Sequence, residues 1–173
     1  MATSKRLKPP GRPAGEPFDA RAARAAAFDA LARRDYATED LRRKLLEKGY
    51  DAVVVAPLLE GLRAEKLLDD KRYAETFVGY RAARGQGPLR VRAELRRHGL
   101  EGSLVEECLD AFPDWIAHLR AAQRKKFGAN QPNNSADKQR QARFLGYRGF
   151  TSAQIRTALG FDIDLNEADI DET

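Results

Sequence analysis

The sequence predicts an all-α fold of three tandem three-helix repeats. A glycine and two leucines recur every fifty residues: Gly49, Gly99 and Gly149; Leu45, Leu95 and Leu145; Leu59, Leu109 and Leu159. A fixed period of this size is typical of one supersecondary unit that is copied and stacked. Strand signals are almost absent. The exception is the β-branched run from Val53 to Val55, which is too short to decide the fold class.

Composition divides the chain into five segments. Residues 1–18 hold four prolines and two glycines, which predicts a disordered arm. Residues 161–173 hold six carboxylates and no lysine or arginine, which predicts an acidic disordered tail. Between them we place repeat 1 at 19–68, repeat 2 at 69–112 and repeat 3 at 113–160.

In repeat 1, helices are predicted over 21–34, from Thr38 to Gly49, and over 51–64. Threonine is a favourable N-cap, so Thr38 is expected to cap the second of these helices. Pro57 conflicts with the third, because proline removes a hydrogen bond and clashes with the preceding turn. That helix is therefore expected either to kink or to start later.

The repeated glycines predict helix ends. If Gly49 adopts the left-handed conformation, Leu45 and Tyr50 occupy the two positions whose side chains meet across a Schellman cap. Glycine adopts this backbone without the penalty of a Cβ atom. The pattern recurs at Gly99 and Gly149, so we interpret all three glycines as structural caps.

Repeats 2 and 3 carry further helix starts. Either Asp69 or Asp70 suits the N-cap position of the next helix. Gly87 is followed by a proline, an arrangement that is common at the start of a helix. Capping boxes are predicted at 103–106 and 151–154. The first helix of repeat 3 is expected over about 113–128, followed by a polar loop over 129–137.

The net charge of +5 is unevenly distributed. The tail contributes −6 and residues 1–20 contribute +2, so residues 21–160 carry +9. A basic body suits an anionic partner such as nucleic acid or an acidic protein surface, although solubility alone would also explain it. The single cysteine excludes an intrachain disulfide or a cysteine-based metal cluster. No signal peptide or membrane-spanning run is recognisable, so we expect a cytoplasmic protein.

No catalytic set is recognisable. His98 and His118 have no nucleophile at a diagnostic spacing, and Gly85-Gln86-Gly87 lacks the strand and the Gly-Lys-Ser/Thr of a phosphate loop. We therefore expect a protein that is not an enzyme and has no cofactor.

Basic residues occupy the second helix of each repeat and positions next to it. The candidate partner-binding or DNA-binding residues are Arg42, Arg43, Arg72, Arg84, Arg90, Arg92, Arg96, Arg97, Lys138, Arg140, Arg143 and Arg148. With the leucines turned inward, many of these cations must face outward and could follow a polyanion. The alternative is a solvated face without a partner.

Several motifs in the chain resemble the bacterial RecX family of RecA modulators. The most specific are Leu67-Leu68-Asp69-Asp70-Lys71-Arg72-Tyr73-Ala74 and Arg84-Gly85-Gln86-Gly87-Pro88, followed by Tyr147-Arg148-Gly149-Phe150 near the end. Weaker matches include Arg33-Arg34-Asp35-Tyr36 and Leu41-Arg42-Arg43-Lys44-Leu45. Together they extend from about residue 22 to about residue 159.

The resemblance implies an elongated, curved, right-handed helical array. It also implies a monomeric, non-enzymatic regulator that binds the groove of the RecA–single-stranded-DNA filament. Such a regulator limits filament growth, ATPase, strand-exchange and coprotease activity. Two rivals remain: a protein that binds single- or double-stranded DNA directly through tandem helical modules, and an adaptor array that binds helical peptides.

Overall fold

The computed structural model describes residues 17–129, 132 and 134–160. Those residues form nine helices and no β-strand, which confirms the predicted all-α fold with three helices in each repeat. The helices are α1 (Pro17–Leu31), α2 (Thr38–Glu47), α3 (Ala52–Ala64), α4 (Asp70–Ala83), α5 (Pro88–Arg97), α6 (Gly102–Ala111), α7 (Trp115–Phe127), α8 (Ser135–Tyr147) and α9 (Ser152–Leu159). Residues 1–16 of the predicted arm and the predicted tail at 161–173 lie outside the described residues.

The first helix begins and ends earlier than predicted. It starts at Pro17, inside the segment assigned to the arm, and ends at Leu31 rather than at residue 34. Proline suits a first helical position because the N–H it lacks would have no partner there. At the other end, the N–H groups of Arg33 and Arg34 both bond to the Ala30 carbonyl, so the chain leaves the helix in a turn.

The described residues fall into two compact units. Unit 1 contains residues up to 35 together with 40–68, and unit 2 contains residues 36–39 together with those from 69 onward. In unit 1, α1 packs against α3. Its most buried side chains are Ala23, Ala27, Leu41, Leu45, Val55, Leu59, Leu62 and Leu68.

Proline is tolerated inside α3, which runs from Ala52 to Ala64 and begins one residue later than predicted. The carbonyl that loses its helical partner is that of Val53, four residues before Pro57. Both residues are exposed, Val53 to 77%. The unpaired carbonyl therefore lies on the solvent side, where water can bond to it.

Unit 2 has one apolar core for each of its repeats. The core of repeat 2 includes Tyr73, Val78, Val91, Leu95, Val105, Cys108 and Leu109, joined by Ala37. The core of repeat 3 contains Leu119, Ala122, Ala142, Leu145, Phe150, Ile155 and Leu159. Trp115 packs against both cores, and its indole N–H donates to the Leu109 carbonyl at 3.1 Å.

All three predicted Schellman caps are present. Gly49, Gly99 and Gly149 have φ of +91°, +82° and +85°. Their N–H groups bond to the carbonyl three residues earlier at 2.9, 2.9 and 2.7 Å, and the next residue bonds to the carbonyl five residues earlier at 3.2, 3.3 and 3.2 Å. The fifty-residue period is therefore a period of helix ends.

Two of these glycines have a second reason to lack a side chain. A Cβ atom on Gly99 would lie 2.5 Å from the Glu39 side chain, and one on Gly149 would lie 2.6 Å from the backbone nitrogen of Arg90. A Cβ atom on Gly49 would meet nothing within 4 Å. In unit 2, the glycine turn of one repeat therefore packs against the start of the second helix of the repeat before it.

The same turns cap helix starts within unit 2. The N–H groups of Gly87 and Leu89, at the beginning of α5, donate to the carbonyls of Arg148 and Gly149 at 2.7 and 2.9 Å. Gly87 is the N-cap and proline follows it, as predicted. These bonds satisfy N–H groups that have no partner inside the helix.

The paired aspartates have separate roles. The Asp69 carboxylate caps its own helix, accepting from the N–H of Arg72 at 2.9 Å. The Asp70 carboxylate accepts from the N–H of Thr38 at 2.7 Å. The prediction that Thr38 caps α2 is therefore wrong, because Thr38 is the first residue of that helix and a carboxylate from repeat 2 caps it.

One of the two predicted capping boxes is present. Thr151 and Gln154 form the reciprocal pair at the start of α9. The box at 103–106 is wrong, since the N-cap of α6 is Glu101 and it makes no side-chain capping bond. The Ser103 hydroxyl donates to Glu101 instead, and the Glu106 carboxylate is held by arginines of α5.

Candidate anion-binding groove

A cationic groove of about 280 Å³ lies in unit 2 where the C-terminal parts of α4, α7 and α8 meet. We call it the junction groove; its lining residues are Ala82, Ala83, Arg84, Gly85, His118, Ala121, Ala122, Lys125, Lys126, Phe144 and Arg148. No lining residue is acidic. The floor is made of small residues: a Cβ atom on Gly85 would lie 2.9 Å from that of Ala122.

Two arginines are held in place by rings and a carbonyl. The Arg84 guanidinium lies 5.2 Å from the centre of the Tyr80 ring and hydrogen-bonds the Tyr80 hydroxyl. The Arg148 guanidinium lies 5.0 Å from the centre of the Phe144 ring and donates to the Arg84 carbonyl at 3.2 Å. In the described part of the chain neither arginine is paired with a carboxylate. Cation–ring contacts orient these charges without neutralising them.

The fold explains why like charges can gather without a carboxylate. Arg84 is the C-cap of α4 and Arg148 is the C-cap of α8, while Lys125 and Lys126 lie in the last turn of α7. The C-terminus of a helix carries a partial negative charge that favours nearby cations. Three helix ends therefore offset part of the repulsion among these four cations.

A second depression of about 470 Å³ adjoins the junction groove. Its lining residues are Lys126, Phe127, Arg140 and Phe144, of which Lys126 and Phe144 are shared with the groove. The Arg140 guanidinium lies 5.5 Å from the centre of the Phe127 ring and 3.2 Å from the Asp137 carboxylate. Together the two depressions are lined by five lysines and arginines and by two phenylalanine rings.

The arginines of α5 have a different environment. Arg92 makes a bidentate contact with Glu106 of α6, with its Nε at 2.8 Å from Oε1 and its NH2 at 2.7 Å from Oε2. Arg96 reaches the same carboxylate at 3.2 Å. The hydrogen bond from Arg92, strengthened by the charges of both arginines, holds the pKa of Glu106 below its usual value and in turn raises the pKa of Arg92. We call Arg92, Arg96 and Glu106 the paired cluster.

The candidate residue Arg90 forms an ion pair with a buried carboxylate, that of Glu94. Glu94 is only 9% exposed and lies 3.3 Å from Arg90 and 2.7 Å from Arg81. Arg81 also lies over the Phe77 ring at 4.7 Å. Both arginines offset the cost of burying the Glu94 charge, so Arg90 has a structural role whatever else it contacts.

The remaining candidates fall into two groups. Arg43 lies 3.3 Å from Asp40, and Arg42, Arg72 and Lys138 also interact with other groups of the chain. Arg97 and Arg143 are exposed and have no partner within the described residues. Of the twelve predicted residues, the structure brings Arg84 and Arg148 into one groove, with Arg140 beside it.

Sequence reasoning missed Lys125, Lys126 and His118. The signal was present as the run Arg124-Lys125-Lys126, but these residues lie on the first helix of their repeat, whereas the prediction concentrated on second helices. Their position beside Arg148 depends on how α7 packs on α8, which no spacing in the sequence reports.

Three family models match the chain in order: the first three-helix domain of RecX over residues 23–62, the second over 69–109 and the third over 114–159. A protein named Regulatory protein RecX from Halorhodospira halophila is 46% identical over 138 residues, which cover 79% of this chain and 86% of the relative. One of the same name from Ectopseudomonas mendocina is 40% identical over 135 residues, covering 78% and 90%.

Solved structures share the fold. The crystal structure of RecX from Lactobacillus salivarius matches with a TM-score of 0.73 and 18% identity, covering 83% of this chain and 96% of that one. A crystal structure described as regulatory protein RecX matches with a TM-score of 0.67 and 24% identity, covering 82% and 71%. Among the described residues, no helix of this chain combines the length and apolar character needed to cross a membrane.

Proposed function

This chain belongs to the RecX family of regulatory proteins, and we propose that it regulates the RecA recombinase by binding in the groove of the RecA–single-stranded-DNA filament. Bound there, it limits filament growth and the ATPase, strand-exchange and coprotease activities that depend on the filament. The observation that carries this proposal is the ordered match of all three RecX domains, which together cover most of the described residues.

The surface chemistry of unit 2 supports the same proposal. Arg97 and Arg143 are exposed and have no partner within the described residues. A filament assembled on DNA presents phosphates. Cations without a carboxylate partner contribute the most binding free energy when they contact phosphates. We therefore assign the filament contact first to Arg97 and Arg143, and only then to arginines that already have partners.

The test measures RecA ATP hydrolysis on single-stranded DNA as the protein is titrated in. The variant Arg97→Glu with Arg143→Glu reverses two exposed charges that hold no other residue in place. We expect it to need about ten times more protein for half-inhibition, equivalent to about 1.4 kcal/mol of binding free energy.

The matched control is Arg21→Glu with Arg156→Glu. Arg21 and Arg156 are also exposed; Arg156, like Arg97, lies in the last turn of its helix. Both variants change the net charge equally, so a general electrostatic effect would weaken both alike. If the unaltered protein leaves RecA ATP hydrolysis and filament length unchanged at stoichiometric concentration, the proposed function is wrong. Equal behaviour of the two variants would overturn only the assignment to Arg97 and Arg143.

A further inference from the structure

We propose that the junction groove and its adjoining depression form a binding track for single-stranded nucleic acid, whose phosphates meet the cations and whose bases stack on the exposed rings. This site acts without RecA and is therefore independent of the filament contact proposed above.

The cations of the groove are available to a ligand. Arg84, Lys125, Lys126 and Arg148 converge on one recess of about 280 Å³ that no acidic side chain lines. The arginines of the paired cluster differ, because the Glu106 carboxylate already forms ion pairs with both of them. A site that keeps four cations together without a carboxylate is suited to an external anion, and a phosphodiester chain supplies one negative charge per nucleotide.

The rings favour a nucleic acid over an acidic peptide. Two rings that line the track lie under guanidinium groups, Phe144 under Arg148 and Phe127 under Arg140. A third ring, Tyr80, does not line the track but lies under Arg84, which does. Tyr80 is 54% exposed, and Tyr147, next to Arg148, is 65% exposed. Nucleobases stack on aromatic and guanidinium planes, whereas the carboxylates of an acidic peptide offer no planar ring to match them.

The shape favours a single strand over a duplex. Reading a duplex requires a helix or a strand that protrudes into a groove of the DNA. The junction groove is instead a recess with a floor of Gly85 and Ala122, continuous with a second recess of about 470 Å³. The unpaired bases of a flexible single strand can separate from one another as the strand follows the two recesses. The bases of a duplex remain paired and cannot separate in this way.

The test measures binding of a fluorescent oligo-dT of about 12 nucleotides, within the site size of single-strand modules, to the full chain without RecA. Fluorescence anisotropy is followed between about 50 and 200 mM salt. Four phosphate contacts predict that log K falls with log salt with a slope of about −3 for a single strand. The variant Lys125→Gln with Lys126→Gln removes two of the four contacts, so the slope should become shallower by about 1.4.

The control variant is Arg21→Gln with Lys48→Gln, which removes two exposed cations of repeat 1 and leaves the same net charge. Far-ultraviolet circular dichroism establishes that both variants keep their helices. We expect the control to bind as the unaltered protein does. If the two variants lose affinity and salt slope equally, binding is unspecific and the track does not exist.

Two variants of Tyr80, a DNA duplex and an acidic polymer decide the remaining points. Tyr80→Leu should weaken oligo-dT binding about tenfold through lost stacking, while Tyr80→Phe should retain it. A duplex of the same length that binds as tightly would overturn the preference for a single strand. Polyglutamate that displaces the oligonucleotide at equal charge concentration would show an acidic-protein site instead. Because RecA is absent, none of these outcomes decides the proposed function.

Discussion

Two arginine pairs in unit 2 carry the same charge and have opposite surroundings. In the paired cluster, Arg92 and Arg96 share the Glu106 carboxylate between α5 and α6. In the junction groove, Arg84 and Arg148 lie over aromatic rings and have no carboxylate within the described residues. The first pair holds two helices together, and the second keeps its charge available. The partner of a cation, rather than its place in a basic run, therefore identifies a binding surface.

The largest expected effect comes from Gly87→Ala, which should disrupt the contact between repeats that builds the junction groove. A Cβ atom at this position would lie 2.3 Å from backbone atoms of Gly149 and Phe150, and backbone cannot rotate away as a side chain can. We expect a loss of about 3 kcal/mol in the free energy of unfolding, measured by urea denaturation, which is the upper end of the usual cost of overpacking. Oligonucleotide binding should fall with it.

Gly61→Ala is the matched control, because a Cβ atom there meets nothing within 4 Å and the residue lies inside α3. It should raise stability by about 0.5–1 kcal/mol, since alanine loses less chain entropy than glycine in a helix. A Gly87→Ala protein that unfolds at the same urea concentration as the unaltered chain would show that the two repeats do not pack as described.

Local features of unit 2 were predictable from sequence, and contacts between repeats were not. The Schellman caps at Gly99 and Gly149 follow from six adjacent residues, so spacing alone identifies them. That a side chain on either glycine would clash with the preceding repeat depends on residues about sixty positions away. The Thr38 cap failed for the same reason, because the competing Asp70 carboxylate is 32 residues distant.

The candidate site was predicted only in part. A basic surface follows from the charge distribution, and Arg84, Arg140 and Arg148 were among the candidates. Which cation meets a carboxylate depends on the packing of helix against helix: Arg92 and Glu106 are 14 residues apart on different helices. Sequence patterns report the residues on one helix face but not the face that opposes it.

A smaller effect should distinguish the two arginine pairs by stability. In a double-mutant cycle, Arg92→Ala and Glu106→Ala should show a coupling energy of about 0.5–1 kcal/mol, at the upper end for an exposed ion pair because the contact is bidentate. Arg97→Ala, on the same helix and without a partner in the described residues, should stay within about 0.5 kcal/mol of the unaltered protein. Zero coupling would mean that Arg92 is as available to a ligand as Arg84.

The smallest expected effect is the dependence of the paired cluster on pH. The pKa of Glu106 in the folded chain is lowered from its ordinary value of 4.5, chiefly by the hydrogen bond from Arg92. A lowered folded pKa means that the pair contributes its full stability above pH 4.5 and loses it as pH falls through the folded value.

Other carboxylates titrate in the same range, so the useful quantity is the difference in unfolding free energy between the unaltered protein and Glu106→Gln. That difference should be below about 1 kcal/mol near pH 7, because the pair is partly exposed to solvent, and should shrink toward zero as pH falls through the folded pKa of Glu106. A difference that stays constant over this range would mean that Glu106 is not held by Arg92 in solution, and the contrast between the two arginine pairs would then disappear.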